Sequence, residues 1–125
     1  MMEKQKILLV DDDQDVLDFL QMLLAVEGLK TVQASEAGTA LQALSDDEVG
    51  LVLLDVAMPG IDGLQLCRQI KASPRTKDLP VMVLSARPGQ GVEDEAMAAG
   101  AETFVRKPFD NDRLLTLIRA RLGAA

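Results

Sequence analysis

Three uninterrupted apolar runs punctuate the chain: Ile7-Leu8-Leu9-Val10, Leu51-Val52-Leu53-Leu54 and Val81-Met82-Val83-Leu84. Each is about as long as a strand, and the lack of polar alternation marks strands covered on both faces. Leu29 to Ala34 and Thr103 to Arg106 are two fainter candidates. Between the runs, apolar residues recur at helical spacing. Val16, Leu17, Phe19, Leu20, Leu23 and Leu24 are placed on one face of a first helix, with Gly28 as its stop. Ala37, Ala40, Leu41 and Leu44 do the same for a second helix, and Leu66, Cys67 and Ile70 for a third. An Ala-rich fourth helix runs from about Val92 to Ala99 and ends at Gly100. A fifth runs from about Asn111 to Leu122, with Leu114, Leu117, Ile118 and Leu122 inward.

The order is (βα)₅. Alternation with short connections predicts an α/β fold, a mainly parallel sheet with helices on both faces. No repeat or boundary interrupts it, so residues 1–125 are expected to form a single domain. The longest irregular stretch is Ala72 to Pro80.

In such sheets, ligands bind outside the carboxyl ends of the strands. Asp11-Asp12-Asp13 follow the first run, Asp55 the second, and Ser85 the third. Lys107 and Pro108 follow the last strand candidate. Parallel strands bring these endings to one edge. That edge then holds carboxylates, a hydroxyl and an ammonium, without imidazole or thiolate. Oxygen donors favour a hard cation, Mg²⁺ with Mn²⁺ as an alternative, over zinc. A carboxylate beside a metal and a lysine suits phosphoryl chemistry, because an aspartate can attack phosphorus to give an acyl phosphate. Such transfer depends on positioning and charge neutralisation. Each residue alone has a plainer reading. Asp13 fits the N-cap of the first helix, Asp11 and Asp12 a solvated turn, Lys107 a surface lysine, and Ser85 a loop hydroxyl. Their joint placement carries the case.

Composition narrows the classes. The net charge of −7 disfavours direct nucleic-acid binding. The chain contains no histidine, which excludes a His-based triad and a phosphohistidine carrier. One cysteine, Cys67, allows no internal disulfide and is placed in the core. No apolar run approaches a membrane span, and MMEKQK lacks an apolar signal core, so a cytoplasmic protein is expected.

Four segments in order resemble the receiver domain of two-component response regulators, of chemotaxis-regulator type, across nearly the whole chain. They are Ile-Leu-Leu-Val-Asp-Asp-Asp at 7–13 and Leu-Leu-Asp-Val-Ala-Met-Pro-Gly-Ile-Asp-Gly at 53–63. The others are Pro-Val-Met-Val-Leu-Ser-Ala at 80–86 and Gly-Ala-Glu-Thr-Phe-Val-Arg-Lys-Pro-Phe at 100–109. The resemblance implies a flavodoxin-like sheet with strand order 2-1-3-4-5. It implies Asp55 as phosphoacceptor from a histidine kinase or phosphotransfer protein, with Ser85 and Lys107 contacting the phosphoryl group. Mg²⁺ would be held by Asp12 and Asp55, by the backbone carbonyl of Ala57, and by Asp11 through water. Ser85 and Phe104 match the switch positions, and the Lys107-Pro108 bond is expected to be cis. The surface of the fourth helix, fifth strand and fifth helix would meet an effector domain or protein, with homodimerisation on phosphorylation left open.

Ala57 and Arg87 flank the phosphoryl position, where the family varies, and Phe104 stands where many members have Tyr. The implied protein is a signalling module that catalyses only its own phosphorylation and dephosphorylation, with no direct nucleic-acid or membrane partner. A dehalogenase-type phosphohydrolase would want a second acid at position 57, where Ala57 stands. A flavin carrier would not place Asp11-Asp12-Asp13 at a phosphate cradle. A phosphorylation-independent interaction module would have no use for the acidic pair, the acceptor and the lysine together.

Overall fold

The computed structural model describes residues 6–46, 48–55, 63–85 and 90–122. Strands and helices alternate: β1 (Lys6–Val10), α1 (Gln14–Val26), β2 (Lys30–Ala34), α2 (Ala37–Ala43), β3 (Val49–Asp55), α3 (Gly63–Ala72), β4 (Val81–Ser85), α4 (Gln90–Ala98), β5 (Thr103–Arg106) and α5 (Asn111–Leu122). The sheet has the order β2-β1-β3-β4-β5, and every pairing is parallel. The expected strand order therefore holds.

Strand alternation divides the core into two layers. Leu8, Val10, Val52, Leu54, Val81 and Val83 face α2, α3 and α4, where Ala40, Leu66, Cys67, Ile70 and Ala96 are buried. Ile7, Leu9, Leu51, Leu53, Met82 and Leu84 face α1 and α5, against Leu17, Leu20, Leu24, Leu114 and Ile118. This explains why the central runs are apolar at every position.

Two helix terminations use the freedom of glycine at positive φ. Gly28 follows α1 with φ 79°, and Gly100 follows α4 with φ 105°. In each case the glycine N–H and the next residue's N–H donate back to the last turn: Gly28 to Ala25 and Leu29 to Leu24, Gly100 to Met97 and Ala101 to Ala96. This paired reversal releases the chain into β2 and β5.

Two residues depart from the expected inward faces. Phe19 is 49 % exposed and Leu41 43 % exposed. Leu17, Leu20 and Leu24 fill the inward stripe of α1. Phe19 is turned about 200° from Leu17 at 3.6 residues per turn. It lies with exposed Met22 and Val26 on the outer side.

Candidate functional site

The candidate site is built on the carboxyl edge of the sheet. Asp55 is the last residue of β3 and Ser85 the last of β4. Asp11 follows β1 directly, and its N–H donates to the Ala34 carbonyl at 3.2 Å, prolonging the β1–β2 ladder. Lys107 follows β5, and its N–H donates to the Ser85 carbonyl at 2.9 Å. The backbone thus carries both residues just past the regular strands. The Lys107-Pro108 peptide bond is cis.

Lys107 Nζ donates to Asp55 Oδ2 at 2.8 Å and lies 3.5 Å from Asp11 Oδ2. Three residues distant in sequence are thereby joined. Asp11 is 4 % exposed. Its Oδ1 accepts the Asp13 N–H at 3.0 Å, while Asp13 caps α1 by accepting the Asp15 N–H at 3.0 Å. Asp12, between them, is exposed. Ser85 is buried, and Leu84 is the register partner of Asp55, so Ser85 stands one position beyond the acceptor candidate. Phe104 is half-buried against the α4-side core. Ala57 and Arg87 lie outside the described residues.

Burial is the main influence on Asp11. Desolvation, reinforced by the neighbouring Asp55 carboxylate, pushes its carboxyl up to about 6, against the pull of the Asp13 N–H and Lys107. Among the described residues, the Asp11 and Asp55 carboxylates share the Lys107 ammonium, so with both ionised these three side chains sum to one negative charge. This fits a hard cation. The donors are oxygen, and Mg²⁺ commonly takes only one or two protein carboxylates, filling its octahedron with water and phosphate oxygens. Among the described residues, no three His, Cys, Asp or Glu side chains gather at one point.

The response regulator receiver domain family matches residues 7–119. The chain belongs to the response regulator receiver domain family. Receiver domains are phosphoacceptor signalling modules of two-component systems rather than turnover enzymes, and a histidine kinase is the other component of such systems. This receiver domain is 38 % identical over 117 residues to the response regulator MprA of Mycolicibacterium vanbaalenii, covering 94 % of its own length and 50 % of that protein. It therefore spans about half the length of that curated relative. The receiver domain of NtrX from Brucella abortus superposes with a TM-score of 0.85 at 36 % identity, covering 95 % of this chain and 99 % of that one. The receiver domain of the sensor histidine kinase PA1611 from Pseudomonas aeruginosa shares the fold, with a TM-score of 0.85 at 24 % identity, covering 95 % of this chain and 98 % of that one. That structure holds a magnesium ion in its active-site cleft.

A second polar cluster was not anticipated from the sequence. Arg106 on β5 lies 3.7 Å from Glu93 on α4, and its guanidinium carbon is 5.9 Å from the Phe104 ring centre. The available signal was strand alternation, which puts residues 104 and 106 on one face. Among the described residues, no helix is long and apolar enough to cross a membrane.

Proposed function

We propose that Asp55 accepts a phosphoryl group from the phosphohistidine of a histidine kinase or phosphotransfer protein, and that the acyl phosphate switches the α4–β5–α5 surface. The observation that carries this is the contact of Lys107 Nζ with Asp55 Oδ2 at 2.8 Å, with buried Asp11 beside it. An Asp55 carboxylate oxygen would bond to phosphorus as the phosphorus–nitrogen bond to the donor imidazole breaks. Lys107 would then pair with the phosphoryl oxygens, and the Ser85 hydroxyl would donate to them. Mg²⁺, or Mn²⁺, would be held by Asp12, Asp55, the Ala57 carbonyl and, through water, Asp11. Bound there, it supplies neutralisation of the negative charge. Drawing Ser85 inward would open space for Phe104 to turn.

The reading treats residues 1–125 as a single receiver domain working in the cytoplasm. Its output would be an effector domain or protein docking on α4–β5–α5, with homodimerisation as one form of that output. The test is incubation with a small phosphodonor and Mg²⁺, followed by intact-mass measurement. One added phosphate on the wild type and none on Asp55→Asn is expected. Equal labelling of Asp55→Asn would move the acceptor elsewhere.

Ala57 and Arg87 would set the lifetime of the phosphoryl group. The Ala57 methyl cannot hold a hydrolytic water by hydrogen bonding, and a guanidinium at Arg87 suits phosphate oxygens. Positioning a water well is worth roughly tenfold in rate. Ala57→Asn should therefore speed loss of the phosphorylated mass several-fold with Mg²⁺ bound, and Arg87→Ala more modestly. Unchanged or slower decay of Ala57→Asn would show that solvent access sets the lifetime.

A further inference from the structure

We infer that Arg106 is a positioning residue that holds Phe104 in its resting place, anchored for that task by Glu93 of α4. The inference rests on the proposed switching of this receiver domain, and it adds a restraint from residues outside the phosphoacceptor cluster.

The geometry begins with strand register. Val83 pairs with Phe104, and Ser85 pairs with Arg106. Val83 and Phe104 both pack in the core layer on the α4 side. Alternation puts Ser85 and Arg106 on that face too. Arg106 thus stands beside the hydroxyl-bearing residue on the next strand and two residues beyond the aromatic on its own.

Its side chain reaches both neighbours that a switch would have to move. The guanidinium carbon is 5.9 Å from the Phe104 ring centre, within cation–π range. Nη2 is 3.7 Å from Glu93 Oε1. Glu93, Phe104 and Arg106 line one groove of about 320 Å³ beside β5. The ring is packed on its inner side by the core layer and approached by the guanidinium. If the guanidinium holds the ring in its present seat, turning the ring out of that seat breaks the contact, and α4 cannot shift far without stretching the Glu93 pair.

Both contacts are exposed, so each is weak on its own. That suits a restraint on a two-state element. A ligand can shift populations only through its differential affinity for the two states, so a small bias in the resting state is read directly in the apparent midpoint. An exposed cation–π contact is worth about two- to five-fold in an equilibrium constant. Removing Arg106 should shift the switch toward the turned-in state by that factor. Removing Glu93 should act in the same direction and by less, because the arginine remains. The double variant should match Arg106→Ala alone, since residues acting through one network are not additive.

The chain contains three phenylalanines, no tyrosine and no tryptophan. Labelling the full chain with fluorophenylalanine therefore gives a three-line fluorine NMR spectrum, in which Phe104 is assigned by its loss in Phe104→Leu. Beryllofluoride with Mg²⁺ is titrated into the wild type, Arg106→Ala, Arg106→Lys, Glu93→Gln and the double variant, with thermal unfolding of each. In Arg106→Ala, the ligand-free Phe104 resonance should lie part-way toward the liganded position. The beryllofluoride midpoint should fall two- to five-fold. Arg106→Lys, which keeps the cation, should restore most of the wild-type behaviour. If Arg106→Ala does not fold, a smaller shift in the same direction in Glu93→Gln supports the restraint, and no shift there overturns it. A wild type that responds to beryllofluoride, with an Arg106→Ala variant identical in resonance and midpoint, overturns the restraint alone. A wild type whose resonances ignore beryllofluoride overturns the phosphoacceptor reading, and the restraint with it.

Discussion

Adjacent aspartates have different fates at the end of β1. Asp11 is buried against Lys107 and Asp55, Asp12 is exposed, and Asp13 is spent on capping α1. Nothing in three identical side chains says which turns inward. The difference has a titration consequence. Burial first, and Asp55 second among the causes that raise it, lift the Asp11 carboxyl from 3.8 to about 6. Between these values the folded protein binds more protons than the unfolded chain, so stability must fall as pH rises through this window. Half-buried Asp46, held down mainly by its hydrogen bond from Lys6, works in the opposite direction. The comparison with Asp11→Asn isolates the first effect. Without divalent metal, thermal unfolding from pH 4 to 7 should show wild type losing stability relative to Asp11→Asn between about pH 4 and 6. Parallel curves would mean that Asp11 stays ionised throughout. Mg²⁺ should flatten the loss, because a cation favours the charged carboxylate.

Elements are held at their ends as well as their faces, and the α4–β5 junction shows how. Lys71 Nζ, from the last turn of α3, donates to Glu102 Oε2 at 2.7 Å and to the Leu79 carbonyl at 2.8 Å. Glu102 Oε1 accepts the Val81 N–H at 2.8 Å. Gly100 reverses the chain directly over the Lys71 stem, and a Cβ there would sit 2.7 Å from Lys71 Cγ at a φ of 105°. Gly100→Ala should therefore destabilise by about 1–3 kcal/mol through the strained backbone alone, and displacing Lys71 should add to this. Gly38→Ala, in α2 with nothing within 4 Å, should stabilise by about 0.5–1 kcal/mol. Denaturant midpoints for the two variants should move in opposite directions. Gly100 was legible as a stop because glycine after an apolar period is a helix-ending signal. The lysine beneath it was not legible, because that contact spans 29 residues and depends on helix placement. The same divide runs through the whole fold. Strands β1, β3 and β4 could be read directly since central strands are apolar on both faces. The edge strands β2 and β5 gave weaker patterns since they are less covered. Phe19 and Leu41 were misplaced because spacing shows that a helix has an apolar stripe without showing where the stripe ends. Asp11, Asp55 and Lys107 could be grouped because parallel strands deliver their endings to one edge. The Glu93–Arg106 pair needs the α4–β5 distance, which no local pattern contains.

At the scale of the whole molecule, the candidate cluster is a measure of folding. Asp11, Asp55 and Lys107 come from the ends of β1, β3 and β5, and the sheet places two strands, β4 and β5, between Asp55 and the free edge. An unfolded chain cannot present them together, so a ligand of the cluster binds the folded state and stabilises it by RT ln(1 + [L]/Kd). At a hundredfold excess over Kd this is about 2.7 kcal/mol. For a domain of this size it raises the unfolding midpoint by on the order of 10 °C. Mg²⁺ alone should contribute less, because its protein ligands are few and much of its shell remains water. Beryllofluoride with Mg²⁺ should give the full shift in the wild type. Asp55→Asn should remove the beryllofluoride increment, since the acceptor oxygen is gone. Lys107→Ala should reduce it, since no ammonium then balances the bound anion. The pattern separates specific binding from general charge screening. The chain carries a net charge of −7, so any salt should stabilise it somewhat by damping self-repulsion. That screening should differ only slightly among wild type, Asp55→Asn and Lys107→Ala, since each variant's net charge differs by one unit from −7. Scanning calorimetry of the three proteins in NaCl at matched ionic strength, in Mg²⁺, and in Mg²⁺ with beryllofluoride resolves the two contributions. A beryllofluoride increment that persists undiminished in Asp55→Asn would place the anion away from this edge of the sheet and remove the main support for the proposed acceptor.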